Sequence, residues 1–300
     1  MARFPRRAWR SALVAYVLWP VLLLLAPRTA WPGPETEGPP PCPVALGRPL
    51  ALPLRALDLA FVGPDRLVAL DSAEAALFAL GEGGATLLSR KPLPGPLDVV
   101  RAPGALLQAS ERDAAVWALT SRSPRAVLFA VEARELLERE QAVALPFPAT
   151  ARGLRFRAGT NLIEGDVEGL GAGPFLDVAA ADTVFAVSPE GRLLVAGRND
   201  VQTRLGPTLA PLWPGFLAAS TVAPPGAADA FVVIATDAAV PLMSCPAPGA
   251  VRAIAVRVHG EAARVAVAVD GADGGSSLLL FDVAHPRRAA FHSPSGVRRP

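Results

Sequence analysis

Leu57-Asp58-Leu59-Ala60-Phe61, then Arg66-Leu67-Val68-Ala69-Leu70-Asp71-Ser72, then Ala75-Ala76-Leu77-Phe78-Ala79-Leu80 are the runs whose reading decides the fold. Each is short and apolar or alternating, and Gly, Pro, Asp or Ser close it, as in antiparallel strands joined by tight turns. A fourth run follows at 85–90, beyond the turn Gly81-Glu82-Gly83-Gly84. The order returns as Leu97-Asp98-Val99-Val100, then 105–110, then 114–119. It returns again from Leu176-Asp177-Val178-Ala179 through Val184-Phe185-Ala186-Val187. Leu57, Leu97 and Leu176 stand one and two multiples apart on a period of about 40 residues, the mark of a radial or stacked repeat.

Working outward, Phe216-Leu217 and Val251-Arg252-Ala253-Ile254 open two more units, the last with strands expected at 251–258, 264–269 and 277–283. Starts near 57, 97, 137–142, 176, 216 and 251 give six units. A seventh requires a further strand set within 121–175. One four-stranded unit cannot bury both of its faces, so neighbours must stack, and only a closed ring leaves no exposed end sheet. The expected fold is all-β: a single β-propeller of six blades, with seven as the alternative. A strand at Leu50–Leu54 is expected to pair into the last unit and lock the ring, with Arg288-Ala289-Ala290-Phe291 as a neighbouring strand.

The chain has 300 residues, 51% of them apolar, enough for a sizeable core. Its 32 prolines and 26 glycines fit a fold made of turns. Net charge is only +2, lysine occurs once (Lys91), and no basic stripe is interleaved with aromatics, so nucleic acid is not an expected partner. Arg3, Arg6, Arg7 and Arg10 precede the apolar run Ser11–Ala26, the layout of an export signal or an uncleaved signal anchor. Residues 31–47 are a Pro-rich spacer. The expected domains are therefore 1–30 signal peptide or anchor, 31–47 linker, 48–293 propeller and 294–300 a flexible basic tail. The expected location is the periplasm, with residues 11–26 as an inner-membrane anchor if they are retained. The two cysteines, Cys42 and Cys245, form a candidate disulfide in an exported chain, the alternative being two unpaired thiols.

One stretch breaks the pattern. Val131–Gln141 (VEARELLEREQ) is rich in helix formers, with Glu and Arg at helical spacing. It reads as a surface insert or a charged edge strand, or else as a protrusion that meets a partner.

Catalytic signatures are missing: there is no G-x-S-x-G, H-E-x-x-H, C-x-x-C or phosphate loop. All three histidines fall late in the chain: His259 precedes Gly260 in an expected turn, and His285 and His292 can approach each other on the last unit with no third ligand type nearby. Asp270-Gly271-Ala272-Asp273-Gly274-Gly275 carries clustered oxygens that suit calcium, but it lacks the spacing and the terminal Glu of an EF-hand and reads first as a hairpin turn. Asn161, Asp166, Asn199 and Asp200 are candidates to line a propeller face. Trp213, between Pro211 and Pro214, is either a contact residue or blade packing.

Leu67-Val68-Ala69-Leu70-Asp71-Ser72 followed by Ala76-Leu77-Phe78-Ala79-Leu80 resembles the strand, Asp, turn, strand core of NHL- and YVTN-type β-propeller repeats. Asp270 followed by Leu278-Leu279-Leu280-Phe281 matches that spacing loosely, while Ser110 and Ser188 stand where Asp71 does. The resemblance covers most of 57–283 as a pattern rather than an identity. It implies a disc whose loop-built faces bind partners, and it implies no single activity. The resulting expectation is a protein-binding or assembly subunit of a bacterial envelope, without cofactor, metal or catalytic residues. The alternatives are a metal-dependent lactonase-like propeller enzyme and a small-molecule sensor.

Overall fold

The computed structural model describes residues 42–43, 45–81, 84–93, 107–109, 113–118, 125–132, 134–139, 154–157, 162–180, 183–198, 205–222, 229–235, 240–271 and 274–286. Strand β1 (Leu50–Leu52) comes first. It is followed by a four-stranded sheet of β2 (Asp58–Phe61), β3 (Arg66–Leu70), β4 (Glu74–Gly81) and β5 (Gly84–Pro92). The second sheet holds β6 (Leu107–Ala109), β7 (Asp113–Ala118), β8 (Arg125–Val131) and β9 (Leu136–Arg139). Two small hairpins follow, β10 (Arg155–Phe156) with β11 (Ile163–Glu164) and β12 (Asp166–Val167) with β13 (Gly171–Ala172). Then come a three-stranded sheet, β14 (Asp177–Ala180), β15 (Val184–Val187) and β16 (Leu193–Val195), and a four-stranded one, β17 (Leu205–Pro211), β18 (Phe216–Thr221), β19 (Ala230–Ala235) and β20 (Val240–Pro246). The last sheet is β21 (Val251–His259), β22 (Ala262–Asp270) and β23 (Ser276–Ala284), with β1 on its outer edge.

Each four-stranded sheet is an antiparallel meander because its turns are short. Gly63 (φ 71°) supplies the left-handed residue at the β2–β3 turn, a conformation that costs glycine nothing. Along each strand the side chains alternate between faces, and each face packs on a different neighbour. Val68, Leu70 and Leu77 of the first sheet share a core with Val131, Leu136, Ile163, Phe175 and Val178. Leu67, Ala69 and Phe78, on its other face, share one with Ala253, Ala266, Ala268 and Leu278 of the last sheet. Val265, Val267 and Val269 turn instead toward Phe231 and Val233. Leu217, Val232 and Ile234 meet Phe185, Val187 and Leu193. The four cores thus form a circuit from the three-stranded sheet through the last two sheets to the first, and back to Val178 and Ala186. The first strands of the sheets pack side by side, β2 against β6 and β21, and β17 against β14 and β21. β1 pairs with β23 (Leu50 with Leu278, Leu52 with Ser276), so sequence from before the first sheet completes the last. Antiparallel meanders stacked face to face and locked in this way make a β-propeller.

Three expectations need adjustment. Phe216 does not open a unit. The sheet begins at Leu205, and Phe216 starts its second strand. The misreading has a cause: Pro207 and Pro211 argue against a strand, and β17 accommodates them with a register shift between Leu205 and Leu209. The run 131–141 is not helical where it is described. Glu132 N–H bonds Glu135 C=O in a turn, and Leu136–Arg139 form the outer strand of the second sheet, the charged-edge reading. Leu136 is fully buried there, and packing overrides helix propensity. A unit start at 137–142 therefore falls inside or beyond β9, while the start near 97 lies outside the described residues, as do Asn161, Asn199, Asp200, His292 and Arg288–Phe291.

Candidate functional site

In an antiparallel meander the first strand begins beside the turn that joins the second strand to the third. The Leu-Asp pair of the repeat sits there. Leu57 N–H donates to Leu70 C=O, and Leu176 N–H donates to Val187 C=O, both at 2.7 Å, so the two pairs hold the same place in their sheets. Asp58 and Asp177 are buried, at 1% and 0% exposure. Asp58 Oδ1 accepts from Leu59 N–H, and Asp177 Oδ1 from Val178 N–H, each at 2.8 Å. Asp177 Oδ2 then reaches across to the next sheet and accepts from Leu209 N–H at 2.7 Å. A buried carboxyl is tolerated only when it is bonded, and here backbone donors bond Asp58 Oδ1 and both oxygens of Asp177.

Other polar links join neighbouring sheets at this end. Thr208 Oγ1 donates to Arg252 C=O at 3.3 Å, while Ser220 Oγ accepts from Thr208 N–H at 3.1 Å. Ala56 N–H donates to Ser276 Oγ at 3.0 Å, across the closing seam. Arg252 holds Asp270 bidentately, with Nε 2.7 Å from Oδ1 and Nη2 on Oδ2. That bond, opposed by partial burial, raises the Arg252 pKa above its ordinary value. Arg55, 57% exposed, places Nε 3.7 Å from the same Oδ1. Asp270, considered above for calcium, therefore faces two guanidinium groups. Beside it Gly271 N–H bonds Gly275 C=O in a hairpin turn.

At the opposite end Trp213 is buried, and its Nε1–H donates to Gly260 C=O at 3.1 Å, joining the last two sheets. The His285 ring lies 4.9 Å from that of Trp213 and 5.1 Å from Phe216, while His259 stays exposed at the β21–β22 turn. Asp166 is exposed on β12, away from Asp58 and Asp177 in the sequence of sheets. Cys42 and Cys245 are joined by a disulfide with Cα atoms 5.0 Å apart. Cys245 is buried, and both cysteines pack into the core between the last two sheets. Among the described residues no three His, Cys, Asp or Glu come together to hold a metal ion. Among the same residues no helix is long and apolar enough to cross a membrane, and residues 11–26 lie outside them.

Sequence reasoning noticed the Leu-Asp pairs as spacing marks but gave their carboxylates no role. The signal was an acid at the head of an otherwise apolar strand. Thr208, Ser220 and Arg252 left no such signal.

The fold and this arrangement define a β-propeller whose sheets are tied by buried polar links. No family model matches the chain, and no curated protein matches it. Solved structures do match. One is the β-propeller domain of Cps50 (Swd1) from Myceliophteria thermophila, 10% identical, covering 76% of this chain and 84% of that one with a TM-score of 0.37.

Proposed function

We propose that this chain is an exported, six-bladed propeller that works as a non-catalytic protein-binding or assembly subunit. In this reading the two hairpins β10–β13 count as one irregular blade, residues 1–30 direct export or anchor the chain, 31–47 lead from there to the ring, into which Cys42 is already bonded, and 48–293 form it. The observation that carries the reading is the use made of the acids Asp58, Asp177 and Asp270. The carboxylates of Asp58 and Asp177 accept backbone N–H groups, and Asp270 is held by Arg252, so they act as ties and not as a reactive centre. Specificity then belongs to the connections between strands, and not to 132–150 and 197–216 as whole loops, since these contain β9 and β17. The Cys42–Cys245 bond supports an oxidising compartment.

The test is purification of the affinity-tagged full chain from its own envelope, with intact mass and identification of co-eluting proteins. Stoichiometric partners on a chain that keeps residues 1–30 are the expected result. A solitary chain that hydrolyses a lactone in the presence of a divalent cation overturns the reading.

A further inference from the structure

The outer edge of the closing sheet is covered in two parts that are held differently. In the upper part β1 pairs with β23 over Ser276–Leu278, and Leu52, Leu54 and Ala56 are buried in the core that the last sheet shares with the first. Ser276 N–H donates to Leu54 C=O at 2.9 Å, and Ala56 N–H to Ser276 Oγ at 3.0 Å. Lower on the same edge, Leu46 N–H donates to Leu280 C=O at 2.7 Å. Cys42 and Ala45 lie beyond it. They pack, half-buried, into the core of Phe281 and Val283, on the other face of the sheet. Between the two parts Leu46 to Pro49 are exposed and Gly47 takes φ 77°, so a solvent-facing bend joins them. Among the described residues, the lower part is held by one backbone hydrogen bond, by the half-burial of Cys42 and Ala45, and by the Cys42–Cys245 bond. Ordering even two residues costs more than one net hydrogen bond returns, so the disulfide decides whether this part stays in place.

We propose that the Cys42–Cys245 bond is a redox-sensitive latch: its reduction releases the segment around Cys42 and Leu46 and bares the lower edge of β23, while β1 keeps the ring shut. The inference does not depend on the protein-binding reading. Cys42 is half-buried and Cys245 is 1% exposed, so an incoming thiolate meets Cys42 Sγ. The reductant is a dithiol of the paired-cysteine class. One of its thiolates bonds Cys42 Sγ and breaks the bond to Cys245, which leaves as a thiolate and takes up a proton. The second thiol of the reductant then bonds the first, and Cys42 departs as a thiol. Two electrons and two protons pass to the two cysteines, and the reductant ends as a disulfide. Cys245 stays in its core, where a free cysteine packs as a small apolar group. Leu280 C=O loses its partner, and the edge below β1 becomes one that accepts another strand.

Amide hydrogen exchange tests this on the intact chain, oxidised and after treatment with dithiothreitol without denaturant, with thiol counting by intact mass after alkylation. Leu46 is the reporter. Ala56, bonded across the upper seam, and Phe281, facing β22, are the controls. The expected result is two alkylated cysteines, exchange at Leu46 faster by about tenfold or more, unchanged controls, and recovery on reoxidation. A Cys42→Ser/Cys245→Ser variant should show the fast Leu46 exchange with or without dithiothreitol. Undiminished protection of Leu46 in the reduced chain overturns the proposal, because the segment then holds without its bond. Loss of protection at Ala56 and Phe281 together with Leu46 overturns it too, since the whole seam then opens. So does a disulfide that yields to dithiothreitol only in denaturant. If the double variant fails to fold, the reduced intact chain decides.

Discussion

Asp177 shows how one residue couples two sheets. Its carboxyl spans Val178 in its own strand and Leu209 in the next sheet, and removing it strands both N–H groups in a buried place. Asp177→Ala should lower stability by about 3 kcal/mol, measured by denaturant unfolding. Asp177→Asn, which keeps an acceptor, should lose less, and equal losses would contradict the tie. Ser188 organises a neighbouring turn. Its hydroxyl donates to Glu190 Oε2 at 2.7 Å and accepts from the Glu190 and Arg192 N–H groups at 3.2 and 3.3 Å. The Ser188 hydrogen bond first, and the Glu190 backbone second, hold the Glu190 carboxyl below its ordinary value of 4.5. Because the folded value is depressed, the contribution is present above the ordinary value and lost as pH falls through the folded one. A carboxyl-carbon NMR titration should place Glu190 below 4.5, and Ser188→Ala should move it up, whereas an unmoved midpoint would exclude the hydroxyl as the cause. The repeat spacing made the first of these residues visible in the sequence, since Leu-Asp recurs at 57, 97 and 176. Its chemistry was hidden, because the second sheet's N–H that it meets comes from Leu209, 32 residues away.

Strands were legible wherever period-two alternation met a clear turn. The expected 57–62, 66–71, 75–80 and 85–90 lie within a residue or two of β2, β3, β4 and β5, and 251–258, 264–269 and 277–283 within two of β21, β22 and β23. The reading lost its phase where local chemistry opposed the strand: at β17 with its prolines, and at β9 with its Glu and Arg. Burial of Leu136 and of Leu209 decides those strands, and burial depends on neighbours distant in sequence. The short β1 is held close to its sheet. A Cβ on Gly275 would lie 2.6 Å from Leu52 C=O. Gly275→Ala should therefore push β1 from β23 and cost about 2 kcal/mol, seen as a lower thermal midpoint with faster exchange at Leu50 and Leu52. A wild-type midpoint would show that the strand can shift freely.

Across the whole molecule the sheets share cores in a circuit, so no sheet is stable apart from its neighbours. The disulfide fastens that circuit at the seam by joining residues 203 positions apart. In the chain-entropy account, a loop of this length makes the bond worth at most about 5 kcal/mol. Replacing Cys42 and Cys245 together with Ser should lower the unfolding free energy by a large part of that, and an unchanged midpoint under reducing conditions would show the seam to be held by β1 alone. The sequence supplied the even pair of cysteines. It gave no sign that the core between the last two sheets encloses them, since that core mixes residues from both ends of the chain.

The seam also imposes an order of events on synthesis. Ala56 bonds Ser276, 220 residues later, and Cys42 pairs with a cysteine 203 residues later. A growing polypeptide emerges from its amino end, so the oldest part of this molecule waits longest for its match. Until β23 has been made β1 is an orphan edge, and until β20 has brought Cys245, Cys42 is a lone thiol, open to any passing strand or oxidant. Every chain cut short before Cys245 keeps that thiol unmatched. Capture of such fragments as mixed disulfides through Cys42 would make incomplete copies chemically distinguishable from finished ones.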